Sequence, residues 1–163
     1  MENRFPGGSW PVMLTPFTED NKIDYDGLKE LVDWYIKNGV SGMFAVCQSS
    51  EMFYLSLDER VKYAAKTVEF AAGRVPVIAS GHVSDKIEDQ ITELNEIAKT
   101  GVDAVILITN RLAKEDEDDS VWIENCKKIL DNMDPNVPLG FYECPYPYKR
   151  LLTPETISWC AST

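Results

Sequence analysis

The residues that can do chemistry gather in one stretch, Gly42 to Arg60. A short apolar run, Met43 to Val46, gives way at once to Cys47, Gln48, Ser49, Ser50 and Glu51. An apolar run of that length suits a strand buried on both faces. Ser56 and Glu59 have the spacing of a capping box, so a helix opens soon after the polar cluster. A buried strand therefore delivers an amide and two hydroxyls to its carboxyl end, where parallel α/β folds bind ligands. Gln48, Ser49 and Ser50 are donors suited to an anion such as a carboxylate. The same residues also suit a solvated loop that only turns the chain.

Other reactive side chains carry less. His82 is the only histidine and falls at the carboxyl end of another predicted strand. With no partner visible in the sequence, it reads as a loop histidine rather than a proton-transfer group. Glu51 reads as a brace for its own loop rather than a general base. The acidic run Glu115 to Asp119 lacks the spacing of a calcium loop and reads as solvated charge. Cys47, Cys126, Cys144 and Cys160 are scattered, with no Cys-x-x-Cys spacing. Zinc and a disulfide framework are therefore not expected, and free, mostly buried thiols in a cytoplasmic protein are. No motif asks for a cofactor or a metal.

These residues must be positioned by a repeating pattern of strands and helices. Trp10 to Leu14 reads as a first strand, closed by Pro16. Asp24 reads as the N-cap of a helix to about Asn38, with Leu28, Leu31, Val32, Tyr35 and Ile36 on one face. After the second strand and the polar loop comes a helix over Leu57 to Ala72, with Val61, Ala64, Ala65 and Val68 inward. Val75 to Ala79 is a third strand, and Ser84 is expected to cap a third helix. Ala104 to Ile108 is a fourth strand, followed by a polar loop over 109–119 and a helix over Val121 to Leu130. Leu139 to Tyr142 is a fifth strand, and Thr153-Pro154 opens a last helix that runs to Thr163. Strands recur about every thirty residues, the size of one β-α unit.

The chain has 163 residues, 44% of them hydrophobic, which suits one domain with a real core. No composition break interrupts the series, so residues 1–163 read as a single α/β domain. The net charge of −11 argues against nucleic acid and anionic membrane surfaces as partners. No apolar run has the length of a membrane span, and the opening Met-Glu-Asn-Arg-Phe-Pro-Gly-Gly has no signal-peptide core. Five β-α units admit two architectures. One is a five-stranded doubly wound sheet binding a small anion or cofactor without catalysis. The other is part of a (β/α)8 TIM barrel, which needs eight strands and about 250 residues. Length favours the first; a sequential strand order would establish the second.

Four motifs tip the balance. Leu14-Thr15-Pro16-Phe17-Thr18 with Ile23-Asp24 resembles the start of the dihydrodipicolinate synthase and N-acetylneuraminate lyase family. Cys47-Gln48-Ser49-Ser50-Glu51, then Leu55-Ser56 and Glu59-Arg60, resembles that family's G-T-T-G-E…L-S…E-R segment. Gly73 to Ala79 resembles its next strand, and Phe141-Tyr142-Glu143-Cys144-Pro145 resembles its Y-N-x-P segment. The resemblance spans nearly the whole chain, in the right order.

The resemblance implies a class I carbon–carbon lyase on a TIM barrel, of which this chain holds the first five β-α units. It implies a Schiff base between a sixth-strand lysine and pyruvate or a related 2-keto acid. On this chain the family's proton-shuttling tyrosine falls on Tyr142, and its carboxylate-holding loop on Gln48, Ser49 and Ser50. A homo-oligomer is expected for the full-length protein. Three departures stand out. Gln48 replaces a hydroxyl residue, Thr109-Asn110-Arg111-Leu112 replaces a segment with two tyrosines, and Tyr146-Pro147-Tyr148 occupies the place of an arginine. Aspartate semialdehyde is therefore not expected as second substrate. The Schiff-base lysine is expected beyond Thr163, so the 163 residues alone are expected to be inactive. The nearest lysine, Lys149, reads as solvated.

Overall fold

The computed structural model describes residues 4–162. Met1 to Asn3, at the start of the segment read as lacking a signal peptide, lie outside the described residues, as does Thr163.

Helix α1, Tyr25–Lys37, begins at Asp24, whose carboxylate accepts from the amides of Asp26 and Gly27. That cap satisfies two of the amides a helix leaves unpaired at its start. Strand β1, Met43–Ala45, follows, then α2, Leu57–Ala71. The capping box at Ser56 and Glu59 is formed, each side chain bonded to the other's backbone amide. Then come β2, Val77–Ala79; α3, Ile87–Ala98; β3, Ala104–Ile108; α4, Asp119–Leu130; β4, Leu139–Tyr142; and α5, Pro154–Ser162.

The four strands form one parallel sheet in the order β1-β2-β3-β4. A sheet whose order follows the sequence is barrel wall; a doubly wound sheet reverses direction at a switch point. The doubly wound alternative is thereby set aside. The first predicted strand is reduced to a bridge, Val12 beside Phe44, with two ladder bonds: Met13 N–H to the Phe44 carbonyl and Phe44 N–H to the Pro11 carbonyl. Pro11 and Pro16 bracket it, and neither has an N–H to extend the ladder. The segment nevertheless runs parallel to β1 and takes the place of a first strand.

The sheet has two unlike faces. Met43, Ala45, Val77, Ala79, Val105 and Leu107 join the large core beneath the helices. Phe44, Ile78, Ala104, Ile106 and Tyr142 form a smaller apolar cluster on the opposite face. In a closed barrel that second face is the interior.

Three local expectations need correcting. α2 buries Arg60, Tyr63, Ala64, Thr67 and Ala71, with Val61 and Val68 only half-buried. Polar partners explain the rotation: Arg60 meets Glu93, and the Tyr63 hydroxyl donates to the Leu14 carbonyl. Ser84 does not cap α3; its amide and hydroxyl both donate to the Glu93 carboxylate, and Lys86 takes the cap position without a side-chain bond. The loop after β3 is not simply polar: Thr109–Arg111 form a 3-10 turn, and Leu112 and Ala113 are buried.

Candidate functional site

β1 ends sharply. Val46 adopts a left-handed conformation, φ 46°, and Glu51 does the same at φ 59°. A β-branched residue pays a steric penalty there, on the order of 1–3 kcal/mol, and such strain clusters at functional sites. Between these two residues the chain makes a 3-10 turn over Gln48–Ser50, with a second over Met52–Tyr54. Glu51 is exposed and links the two turns through its backbone.

The three predicted loop donors part company. Ser50 is fully buried; its hydroxyl donates to the Met13 carbonyl at 2.7 Å and accepts from the Cys47 amide at 3.2 Å. It is an internal brace, joined by Thr15, whose hydroxyl donates to the Ser50 carbonyl at 2.7 Å. Gln48 and Ser49 are half-buried and face outward from this brace. Among the described residues, neither the Ser49 hydroxyl nor the Gln48 amide nitrogen has a hydrogen-bond partner.

Tyr142 closes β4 at the same carboxyl end. Its ring meets Phe44 edge-on, with centroids 5.4 Å apart, which places it on the face the helices leave uncovered. Burial pushes its phenol up to about 12, helped by the neighbouring Cys144 and Cys47 thiols. The hydroxyl is therefore protonated at neutral pH and is a proton donor at rest. Cys144 connects the two halves: its sulfur lies 3.2 Å from the Gln48 Oε1. The loop after β1 and the end of β4 thus converge.

The loop beyond Cys144 is stitched down by Asn110, whose side-chain nitrogen donates to the Cys144 carbonyl at 2.8 Å and the Tyr146 carbonyl at 2.9 Å. Tyr148 returns the contact by donating to the carbonyls of Asn110 and Ala113. Asn110 was legible only as a polar residue directly after a buried strand. Cys144 was read as a free thiol and as one member of the Phe141 to Pro145 segment, with no role of its own, and all four cysteines are free.

His82 is not a solvated loop residue. It is fully buried, its Nδ1 pairs with Gln90 Oε1 at 2.8 Å, and its Nε2 accepts from the Ile108 amide at 2.6 Å. Nε2 as acceptor fixes the tautomer, with the proton on Nδ1. Burial lowers its pKa to about 4, with Arg111 and Arg60 adding to the effect against Gln90. It stays neutral near pH 7 and holds the end of β3.

Lysines lie on helices or loops, and none is on a strand. Lys149 is exposed. Arg150 is committed to the carbonyls of Lys114 and Glu117 and to Asp119. Arg111 binds the Val83 carbonyl and Asp85. Among the described residues no group of three His, Cys, Asp or Glu is placed to hold a metal ion, and no helix is long and apolar enough to cross a membrane.

Comparison with known proteins places this arrangement. The family model described as "Dihydrodipicolinate synthetase family" matches residues 6–161. The 4-hydroxy-tetrahydrodipicolinate synthase of Methanococcus maripaludis (strain C6) is 36% identical over 152 residues, covering 93% of this chain and 50% of that protein. A crystal structure of dihydrodipicolinate synthase superposes with TM-score 0.82 at 31% identity, covering 94% of this chain and 51% of the other. The enzyme of that name from Acinetobacter baumannii, complexed with pyruvate, gives TM-score 0.76 at 25% identity over 85% of this chain and 46% of its own. The chain spans about half the length of the curated relatives it matches.

Proposed function

The chain belongs to the dihydrodipicolinate synthetase family, and from that premise we propose that it forms the keto-acid-binding part of a Schiff-base carbon–carbon lyase. In this reading residues 1–163 are one domain, the N-terminal part of a TIM barrel. The substrate is pyruvate or a related 2-keto acid. The observation that carries the reading is the meeting of Gln48 and Tyr142 through Cys144 at the carboxyl end of the sheet.

Gln48 and Ser49 hold the keto acid's carboxylate, which leaves Ser50 as the brace that sets their height. Tyr142 moves protons. When a lysine amine adds to the keto carbon, the resulting hydroxyl must leave as water. The protonated Tyr142 supplies that proton, and its phenolate recovers one from the keto acid's C3 when the enamine forms, or from the substrate hydroxyl when a C–C bond is broken. The lysine is expected on a sixth strand, outside these 163 residues. Among the described residues the lysines lie on helices or loops, and none stands on a buried strand facing the site. We also place the protein in the cytoplasm, in keeping with its free thiols, and take the full-length form to be a homo-oligomer. The second substrate is not aspartate semialdehyde: Tyr146-Pro147-Tyr148 replaces the expected arginine, and both terminal nitrogens of Arg150 and one of Arg111 are already engaged.

The test is borohydride reduction in the presence of pyruvate, followed by intact-mass measurement. This chain should give no stoichiometric adduct, whereas a polypeptide continuing it through a sixth strand should be trapped on one lysine. A single-site adduct on the 163 residues would overturn the assignment of the nucleophile, with Lys149 the first residue to map. No adduct on the longer polypeptide would overturn the lyase reading.

A further inference from the structure

The Tyr142 hydroxyl donates to the Cys144 sulfur, and the thiol's own single proton has two acceptor oxygens within reach: Gln48 Oε1 at 3.2 Å and the Tyr146 carbonyl at 3.3 Å. Neither oxygen can donate, so the thiol must. The Tyr146 carbonyl already receives the Asn110 side chain at 2.9 Å. Gln48 Oε1 has no other donor among the described residues, so the thiol proton belongs to it. Cys144 itself is fully buried, and its backbone carbonyl accepts from the Asn110 side chain, which fixes the main chain that carries the thiol.

We propose that Cys144 is a positioning residue, whose thiol fixes the Gln48 carboxamide with its amide nitrogen turned to the ligand. The inference rests on the keto-acid reading and names how its carboxylate is held. With Oε1 occupied, the two N–H groups of Gln48 are the free end of the amide. They replace, as carboxylate donors, the hydroxyl that the family pattern puts at this position. The reversed amide would present a carbonyl oxygen to the carboxylate and repel it. An amide N–H does not ionise near neutral pH, so Gln48 binds but cannot pass protons on. Proton transfer is left to Tyr142, whereas a hydroxyl at 48 would share it.

The experiment is a pyruvate titration of the ¹⁵N-labelled 163-residue chain, followed through the Gln48 side-chain NH2 signal. The carboxylate loop is entirely within this chain, so the site is expected to bind pyruvate without the imine. In the native chain that signal should shift and saturate with pyruvate and stay still with pyruvamide, its neutral analogue. Cys144→Ser keeps a donor and should bind within about twofold of the native chain. Cys144→Val removes the donor at similar volume and should bind about tenfold more weakly, near 1.4 kcal/mol. The pyruvamide comparison needs no variant, so it decides even if the valine form fails to fold. Native-like binding by Cys144→Val, or movement of Ser49 and Tyr142 signals with Gln48 unmoved, would overturn the positioning role and leave the keto-acid reading standing. If no resonance at the site moves with pyruvate, the keto-acid reading fails on this chain and the inference fails with it.

Discussion

His82 gives the most direct test of how the sheet's carboxyl end is held. It is the only histidine in the chain, so no second imidazole titrates beside it. In the folded protein its pKa is lowered to about 4, chiefly by burial. In the unfolded chain it should titrate near the ordinary 6.5. The sign follows. As pH falls below 6.5 the unfolded chain takes up a proton and the folded chain does not, so unfolding gains. The stabilisation is whole above about 6.5 and is lost by about pH 4. Its size, from the gap between the two values, is about 3 kcal/mol. Protonation would also set an N–H against the Ile108 amide that Nε2 now accepts from, opening the end of β3.

The perturbation is His82→Gln, compared with the native chain by urea unfolding from pH 8 to pH 4.5. Glutamine retains an acceptor for Ile108 but does not titrate, and the altered contact with Gln90 should cost about 1–2 kcal/mol at pH 7. The native chain should then lose about 3 kcal/mol more than the variant as the pH falls through the window. Carboxylates common to both proteins cancel in the difference. A flat difference curve, or a ring proton of folded His82 titrating near 6.5, would refute the argument that burial holds this imidazole neutral.

Two further outcomes are expected. Glu93→Gln leaves the buried Arg60 charge without its 2.7 Å partner and should cost about 3–5 kcal/mol in urea unfolding, with part recovered on adding Arg60→Met; a loss under about 1 kcal/mol would contradict it. Ala72 ends α2 in a left-handed conformation at φ 50° on an exposed position, so Ala72→Gly should stabilise by about 1 kcal/mol, and a lowered melting temperature would count against it.

Element order and the three formed caps, at Asp24, Ser56 and Thr153, were legible because they depend on local chemistry: an apolar period, a capping side chain, a glycine after a helix. The parallel sheet followed from their alternation. What the sequence concealed lies in polar groups whose partners are distant along the chain. Arg60 was legible only as part of the Glu59-Arg60 motif, since Glu93, the partner that lets it be buried, is 33 positions away. His82 looked solvated because Gln90 gave no sign in sequence and Ile108 offers only a backbone amide, 26 residues on. Ser50 and Ser49 were indistinguishable by type; only the fold sends one hydroxyl inward to Met13 and leaves the other free. The Trp10 to Leu14 strand shrank to a bridge although Pro11 was in view, since the remaining residues still read as apolar and extended.

These hidden pairs share a purpose. The loop after β1 carries two residues in left-handed conformations, so it does not hold its shape by local preference. Two residues of α2, one helical turn apart, hold it and its neighbour. Arg60 donates to the Leu55 carbonyl at 2.9 Å, fixing the far end of the loop, while its other nitrogen meets Glu93. Glu93 in turn accepts from the amides of Val83 and Ser84, securing the loop after β2. Tyr63 donates to the Leu14 carbonyl and secures the segment before α1. One buried face of α2 thus fixes three loops at the carboxyl end of the sheet. That is why this helix buries an arginine and a tyrosine beside the expected Ala64, with Val61, Ala65 and Val68 of the expected apolar face only half-buried. It also means that the site's geometry and the stability of the fold are carried by the same few side chains.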